Sequence, residues 1–172
     1  MQLLKRMFKE WILPFGLEII AVLILIKFVF FLVIVPTGSM KPAIDEQSCL
    51  FVTHLYAPEK TVKRGDILVF WSDELGEKLI KRAVGLPGDK VVIDEEGQMY
   101  VNGEYVREDY VEFPSDRSGE WQVPEGTFLF MGDNRSGSND ARYWEEPYIP
   151  SSQVSGKAWF VLWPPRCFGF LY

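Results

Sequence analysis

The chain has 172 residues, 48 % apolar and 15 % aromatic, which suffices for one domain with a real core and an appendage and excludes a disordered chain. With 24 acidic against 18 basic residues its net charge is −6, so a nucleic-acid binder that neutralises phosphates is excluded. A single histidine, two cysteines and no CxxC leave no credible Cys/His metal site.

Residues Ile12 to Val35 are almost wholly apolar, interrupted only by Pro14, Gly16, Glu18 and Lys27. No small-x-small cleavage site follows except within the next turn, so the run reads as an uncleaved anchor. A helix from about Lys9 to Lys27 would span about 28 Å at about 1.5 Å per residue, enough for a bilayer core, with Lys27 at the outer interface. Lys5, Arg6 and Lys9 then keep the N-terminus in the cytoplasm by the positive-inside tendency. The expected organisation is a cytoplasmic segment 1–10, a transmembrane anchor 11–27 and an extracytoplasmic domain 28–172 in the cell membrane. That domain holds 14 basic and 22 acidic residues, a charge of −8. It also holds Cys49 and Cys167, for which a disulfide and two buried thiols both fit.

Beyond the anchor the chain reads as an all-β domain, short strands punctuated by Gly, Pro and Asn/Asp turns. The expected strands are Phe28 to Val35, Cys49 to Leu55, Asp66 to Trp71, Leu79 to Gly85, Lys90 to Ile93, Met99 to Val101, Glu104 to Val106, Thr127 to Gly132 and Lys157 to Trp163. Asn102-Gly103 is a two-residue hairpin turn, because both residues tolerate positive φ. A hairpin and accessory region is expected near 89–126, of which 107–126 is polar and turn-rich. Of the C-terminal aromatics Trp159, Trp163, Phe168, Phe170 and Tyr172, most read as core and some as lipid-facing.

Three segments carry chemistry. In Pro36-Thr37-Gly38-Ser39-Met40-Lys41-Pro42 a rigid, non-helical turn holds Ser39 out from the end of a strand, as a nucleophile requires. Such a serine needs a base. His54 stands at the end of a strand with no motif around it and reads as structural. Lys81 sits in the apolar strand Leu79 to Gly85, where alternation puts Leu79, Lys81 and Ala83 on one face and Ile80, Arg82 and Val84 on the other, so one basic residue must face inward. A free lysine near pKa 10.4 is about 0.1 % neutral at pH 7.5, and burial that lowers it to roughly 8.5 raises this to about 10 %. The third segment, Met131 to Arg142, is dense in charges and hydroxyls. It can be a solvated loop, or a brace in which Asp and Arg pair and a serine orients the lysine.

Together with Lys63 to Phe70 (K-R-G-D-I-L-V-F), these segments resemble, in order and over nearly the whole chain, the bacterial type I signal peptidases, membrane-anchored Ser/Lys endopeptidases of family S26. The resemblance implies a β-rich catalytic fold with Ser39 as nucleophile and Lys81 as general base, then as the acid that protonates the leaving amine. It makes the Ser39 backbone N–H and the Thr37 hydroxyl the oxyanion donors. Ser138 matches the serine that positions the lysine, and Asp133, Arg135, Asp140 and Arg142 match a bracing loop. Ala141 stands where the family usually has serine. Val35, Met40, Ile44 and Ile80 match positions lining shallow pockets for small substrate residues. The implied partners are signal peptides of exported preproteins and the bilayer, with proximity to the secretion translocon and no cofactor. Two other readings remain: a specialised Ser/Lys processing peptidase of pilin or conjugation type, and a non-catalytic membrane-tethered secretion scaffold.

Overall fold

The computed structural model describes residues 10–11 and 13–171, and the chain divides into two compact units, residues 1–31 and Leu32–Tyr172. The first contains helix α1 (Leu13–Phe28), with Pro14 in its first turn, where a missing N–H breaks no helical hydrogen bond. None of its residues is buried. The sequence leads one to expect a helix from Lys9, part of which lies outside the described residues. At 16 residues α1 is about 24 Å long. Among the described residues no helix is long and apolar enough to cross a membrane, so the transmembrane helix is not seen as expected. Strand β1 (Phe30–Val35) begins two residues later than the Phe28 start read from its aromatic run, because α1 continues through Phe28 and Val29 N–H still donates to the Leu25 carbonyl.

The second unit is β-rich. Its strands are β2 (Ser48–His54), β3 (Ile67–Ser72), β4 (Glu77–Gly85), β5 (Lys90–Ile93), β6 (Met99–Val101), β7 (Glu104–Val106), β8 (Gly119–Gln122), β9 (Thr127–Met131), β10 (Tyr148–Pro150), β11 (Val154–Trp163) and β12 (Gly169–Phe170), with a one-turn helix α2 (Pro58–Thr61) after β2. The larger sheet has the order β1-β2-β11-β3-β4-β9-β10, with β12 on β11, and the smaller one β7-β6-β5-β8. Asn102 and Gly103 take φ of 53° and 84°, the two left-handed positions the β6–β7 hairpin demands.

Three strands are not legible in the sequence. β8 lies in the polar stretch 107–126 and β10 and β12 are two or three residues long, too short to carry a period. Both sheets feed one core: Phe70 and Phe130 stack at 4.1 Å, Trp144 meets Phe70 edge-on at 6.4 Å, and Val91, Ile93, Met99 and Val101 of the smaller sheet join them. Ala141 is in this core at 2 % exposure, where a serine would bury a hydroxyl. Gly85, on the seam, has no room for a side chain: a Cβ would stand 2.8 Å from Val123 and 2.9 Å from Leu129.

Burial on β4 decides the chemistry. From Ile80 to Gly85 every residue is buried, so both faces of the strand are interior and both Lys81 and Arg82 are enclosed, at 4 % and 1 % exposure. Cys49 and Cys167 are not joined, and the Cys167 thiol donates to Asp45 Oδ2 at 3.3 Å.

Candidate active site

β1 ends at Val35 and the chain turns through Thr37 to Met40, with Gln47 N–H bonded back to the Val35 carbonyl at 2.7 Å to close the loop. Ser39 is 6 % exposed on this turn. β3 and β4 pair antiparallel with Leu68 opposite Lys81. That register carries the lysine to the turn, where Lys81 Nζ donates to Ser39 Oγ at 2.5 Å, and Thr37 Oγ1 stands 3.4 Å from the same hydroxyl. Burial lowers the Lys81 pKa to about 8, against the pull of Asp140, Glu77 and Asp133, which favour the charged form. About a quarter of the lysine is then neutral at pH 7.5. A serine hydroxyl in contact with a partly neutral amine has the geometry that a nucleophile and its base require.

The loop after β9 clamps the turn. Asn134 N–H donates to the Ser39 carbonyl at 3.1 Å and its side-chain amide to the Gly38 carbonyl at 3.2 Å. Gly132 runs against the same carbonyl: a Cβ there would stand 2.5 Å from Ser39 O and 2.3 Å from Ser138 Oγ. Gly132→Ala must therefore displace the Ser39 backbone. It is expected to lower kcat about 100-fold or more while thermal melting falls only a few degrees, since a misplacement of about 1 Å has that effect on rate. A wild-type kcat would show that the loop does not set the position of Ser39.

Asp and Arg of this loop do pair, one pair within the loop and two to residues outside it. Asp140 and Arg142 do pair with each other, by Nε to Oδ1 at 2.8 Å and Nη2 to Oδ2 at 2.9 Å, and Asp140 Oδ2 also accepts Gly132 N–H at 2.9 Å. Asp133 instead takes Arg82 of β4 in a bidentate pair at 2.8 and 2.5 Å, with side-chain exposures of 0 % and 1 %. Burial raises the Asp133 carboxyl above its ordinary range in spite of that guanidinium. Arg135 reaches outside the loop to Glu108.

Ser138, expected to orient the lysine, is 4 % exposed, and its hydroxyl makes no hydrogen bond. Val35, Met40 and Ile44 have no exposed surface and Ile80 keeps 7 %. His54, at the end of β2, lies 6.3 Å from the Tyr56 ring. Residues that sequence reasoning does not single out are Arg82, Asn134, Glu108 and Tyr110. Only Arg82 has a local signal, as the second of two basic residues in an apolar strand. Among the described residues no group of three His, Cys, Asp or Glu is disposed to hold a metal ion.

The family described as "Signal peptidase, peptidase S26" matches residues 8–163. A signal peptidase I of Leptolyngbya laminosa is 33 % identical over 94 % of this chain and 83 % of its own length. A probable signal peptidase I-2 of Synechocystis sp. is 34 % identical over 80 % of this chain, which spans only 65 % of that relative. The crystal structure of a signal peptidase I from Enterococcus faecalis V583 is 29 % identical, with a TM-score of 0.49, and covers 57 % of this chain and 97 % of that one. The chain belongs to the signal peptidase family, peptidase S26.

Proposed function

We propose that this protein is a signal peptidase I, a serine endopeptidase that removes N-terminal signal peptides from exported preproteins with a Ser39/Lys81 dyad. The observation that best supports the dyad is the buried 2.5 Å contact between Lys81 Nζ and Ser39 Oγ. The neutral amine takes the Ser39 proton as Oγ attacks the scissile carbonyl. The Ser39 N–H and the Thr37 hydroxyl, next to Ser39 Oγ, receive the oxyanion. Lys81 returns the proton to the leaving amine, and a water deprotonated by the same lysine cleaves the acyl-enzyme. Ser138 accepts from or donates to the lysine once substrate is bound, and Asp133, Arg135, Asp140 and Arg142 hold the loop. Val35, Met40, Ile44 and Ile80 act as a packed floor. Over these enclosed side chains a substrate pocket is shallow and admits small residues, because an apolar pocket discriminates by size.

The proposal includes membrane attachment through residues 11–27, with 1–10 in the cytoplasm and 28–172 outside. The apolar α1, none of whose residues is buried, is better solvated by lipid than by water. Anchoring would put enzyme and substrate on one surface near the translocon and raise their effective concentration.

The test is cleavage of a preprotein with an Ala-x-Ala site by the detergent-solubilised full chain, with the product's N-terminus sequenced. A cut after the second alanine is expected; a folded protein that makes no cut overturns the proposal. The lysine supplies a second check. kcat/KM should rise with pH through a midpoint near 8 and lie about 100-fold below its plateau at pH 6, because only the neutral amine is a base. The sign on stability is opposite to that of an ion-paired lysine. Below about pH 8 folding must bury the charge, and the penalty fades as pH rises toward the ordinary lysine value, where the unfolded chain also loses the proton. A flat rate profile between pH 6 and 9 would exclude Lys81 as the base.

A further inference from the structure

The stretch 107–113, in the long connection from β7 to β8, carries none of the motif residues, yet it is tied into the dyad's supports at several points. Glu108, with a side chain 8 % exposed, grips Arg135 with both oxygens, at 2.9 and 2.6 Å. It also accepts the Tyr110 hydroxyl at 2.5 Å. The Tyr110 ring lies under the Arg82 guanidinium, 3.9 Å from ring centre to Cζ. Further along, Phe113 bridges to Asn134 and its carbonyl accepts Ser136 N–H at 3.1 Å.

From Glu108 two arms run to the two members of the dyad. The first goes through Arg135, whose Nε donates to the Gly132 carbonyl at 3.0 Å. The Gly132 N–H is held by Asp140, whose partner Arg142 donates in turn to the Arg135 carbonyl at 2.7 Å. The residue that presses on the Ser39 carbonyl is thus held at both ends. The second arm goes through Tyr110 to Arg82, which is locked to Asp133 and follows Lys81 directly in β4. One buried carboxylate therefore joins the support of the nucleophile to the support of its base.

We propose that Glu108 is a positioning residue, supported by Tyr110, that sets the separation of Ser39 Oγ and Lys81 Nζ by tying Arg135 to Arg82. The inference rests on the Ser/Lys reading above. Charge-assisted bidentate pairs define angle as well as distance, so replacing one member with a neutral amide relaxes geometry before it removes contact. Glu108 acts through Arg135 and Tyr110 rather than on Ser39 or Lys81 directly, so on this proposal its loss acts on the chemical step rather than on binding.

The experiment compares Glu108→Gln, Glu108→Asp and Tyr110→Phe with wild type in detergent on the Ala-x-Ala preprotein, with thermal melting recorded for each. Glu108→Gln should lower kcat about 10- to 100-fold with KM within about twofold and a melting temperature within a few degrees. Glu108→Asp, which keeps the charge, should recover part of that loss, and Tyr110→Phe, which deletes one donated hydrogen, should lower kcat about threefold to tenfold at unchanged KM. Wild-type kcat in Glu108→Gln, or a loss that tracks unfolding and is no better in Glu108→Asp, overturns the inference. If Glu108→Gln does not fold, Tyr110→Phe decides alone: unchanged kcat overturns it. Ser39→Ala and Lys81→Ala run alongside separate the two levels. If both still cut, the dyad itself is wrong and the inference falls with it; if both are inactive while Glu108→Gln cuts normally, only the inference falls.

Discussion

Ser39→Ala and Lys81→Ala should each lower cleavage by at least about 1,000-fold while the domain stays folded, because in the proposed mechanism each removes one half of a unit that works only as a pair. The double variant should be no worse than either single one, since residues acting as a unit are far from additive. The lysine variant carries a further expectation. Lys81 is held at a depressed pKa by burial, so near pH 7 the fold bears the cost of enclosing a group that is mostly charged. Lys81→Met should melt no lower than wild type while losing its activity, an outcome that distinguishes a functional lysine from a structural one. His54→Ala should cut at close to the wild-type rate. Turnover that survives in Lys81→Met and is lost in His54→Ala would replace the lysine with the histidine as base.

Asp133→Ala should be the most destabilising change at the site, by about 3–5 kcal/mol, the usual cost of leaving one buried charge without its partner. Arg82 is 1 % exposed, and the Gly65 carbonyl it also meets, 2.7 Å from Nη1, cannot replace a bidentate carboxylate. Chemical denaturation measures the loss. Asp133→Ala combined with Arg82→Met should regain much of it, because removing both charges leaves neither one buried without the other. The regained stability should come without regained activity, since the pair lies between Lys81 and the loop that bonds to Ser39. Equal stability of wild type and Asp133→Ala would mean that the pair is solvated in solution.

How much of this was legible depends on range. The hairpin at Asn102-Gly103 is a local matter of two residues that accept positive φ, and β5, β6 and β7 match their expected limits for that reason. β8 was not legible, because four residues in a polar stretch become a strand only when the edge of β5 is there to pair with them. The helix was legible as apolar but not in extent: periodicity cannot say where an unbroken apolar run changes from helix to strand, and α1 passes the expected stop at Lys27 by one residue.

The sequence by itself determined the β-rich class of the domain, the family likeness, and the choice of a serine turn, a lysine strand and a charged loop as the segments that matter, because each is written in adjacent residues. The tertiary structure alone decided who meets whom. It buried both faces of β4, so that Lys81 and Arg82 serve different partners on opposite sides of one strand. It gave Asp133 to Arg82 across 51 positions and Arg135 to Glu108 across 27 while Asp140 and Arg142 closed on each other, partners that the loop's composition leaves open. Such pairings follow from strand register and from the desolvation of each charge as the core closes around it, and neither leaves a period or a spacing in the chain.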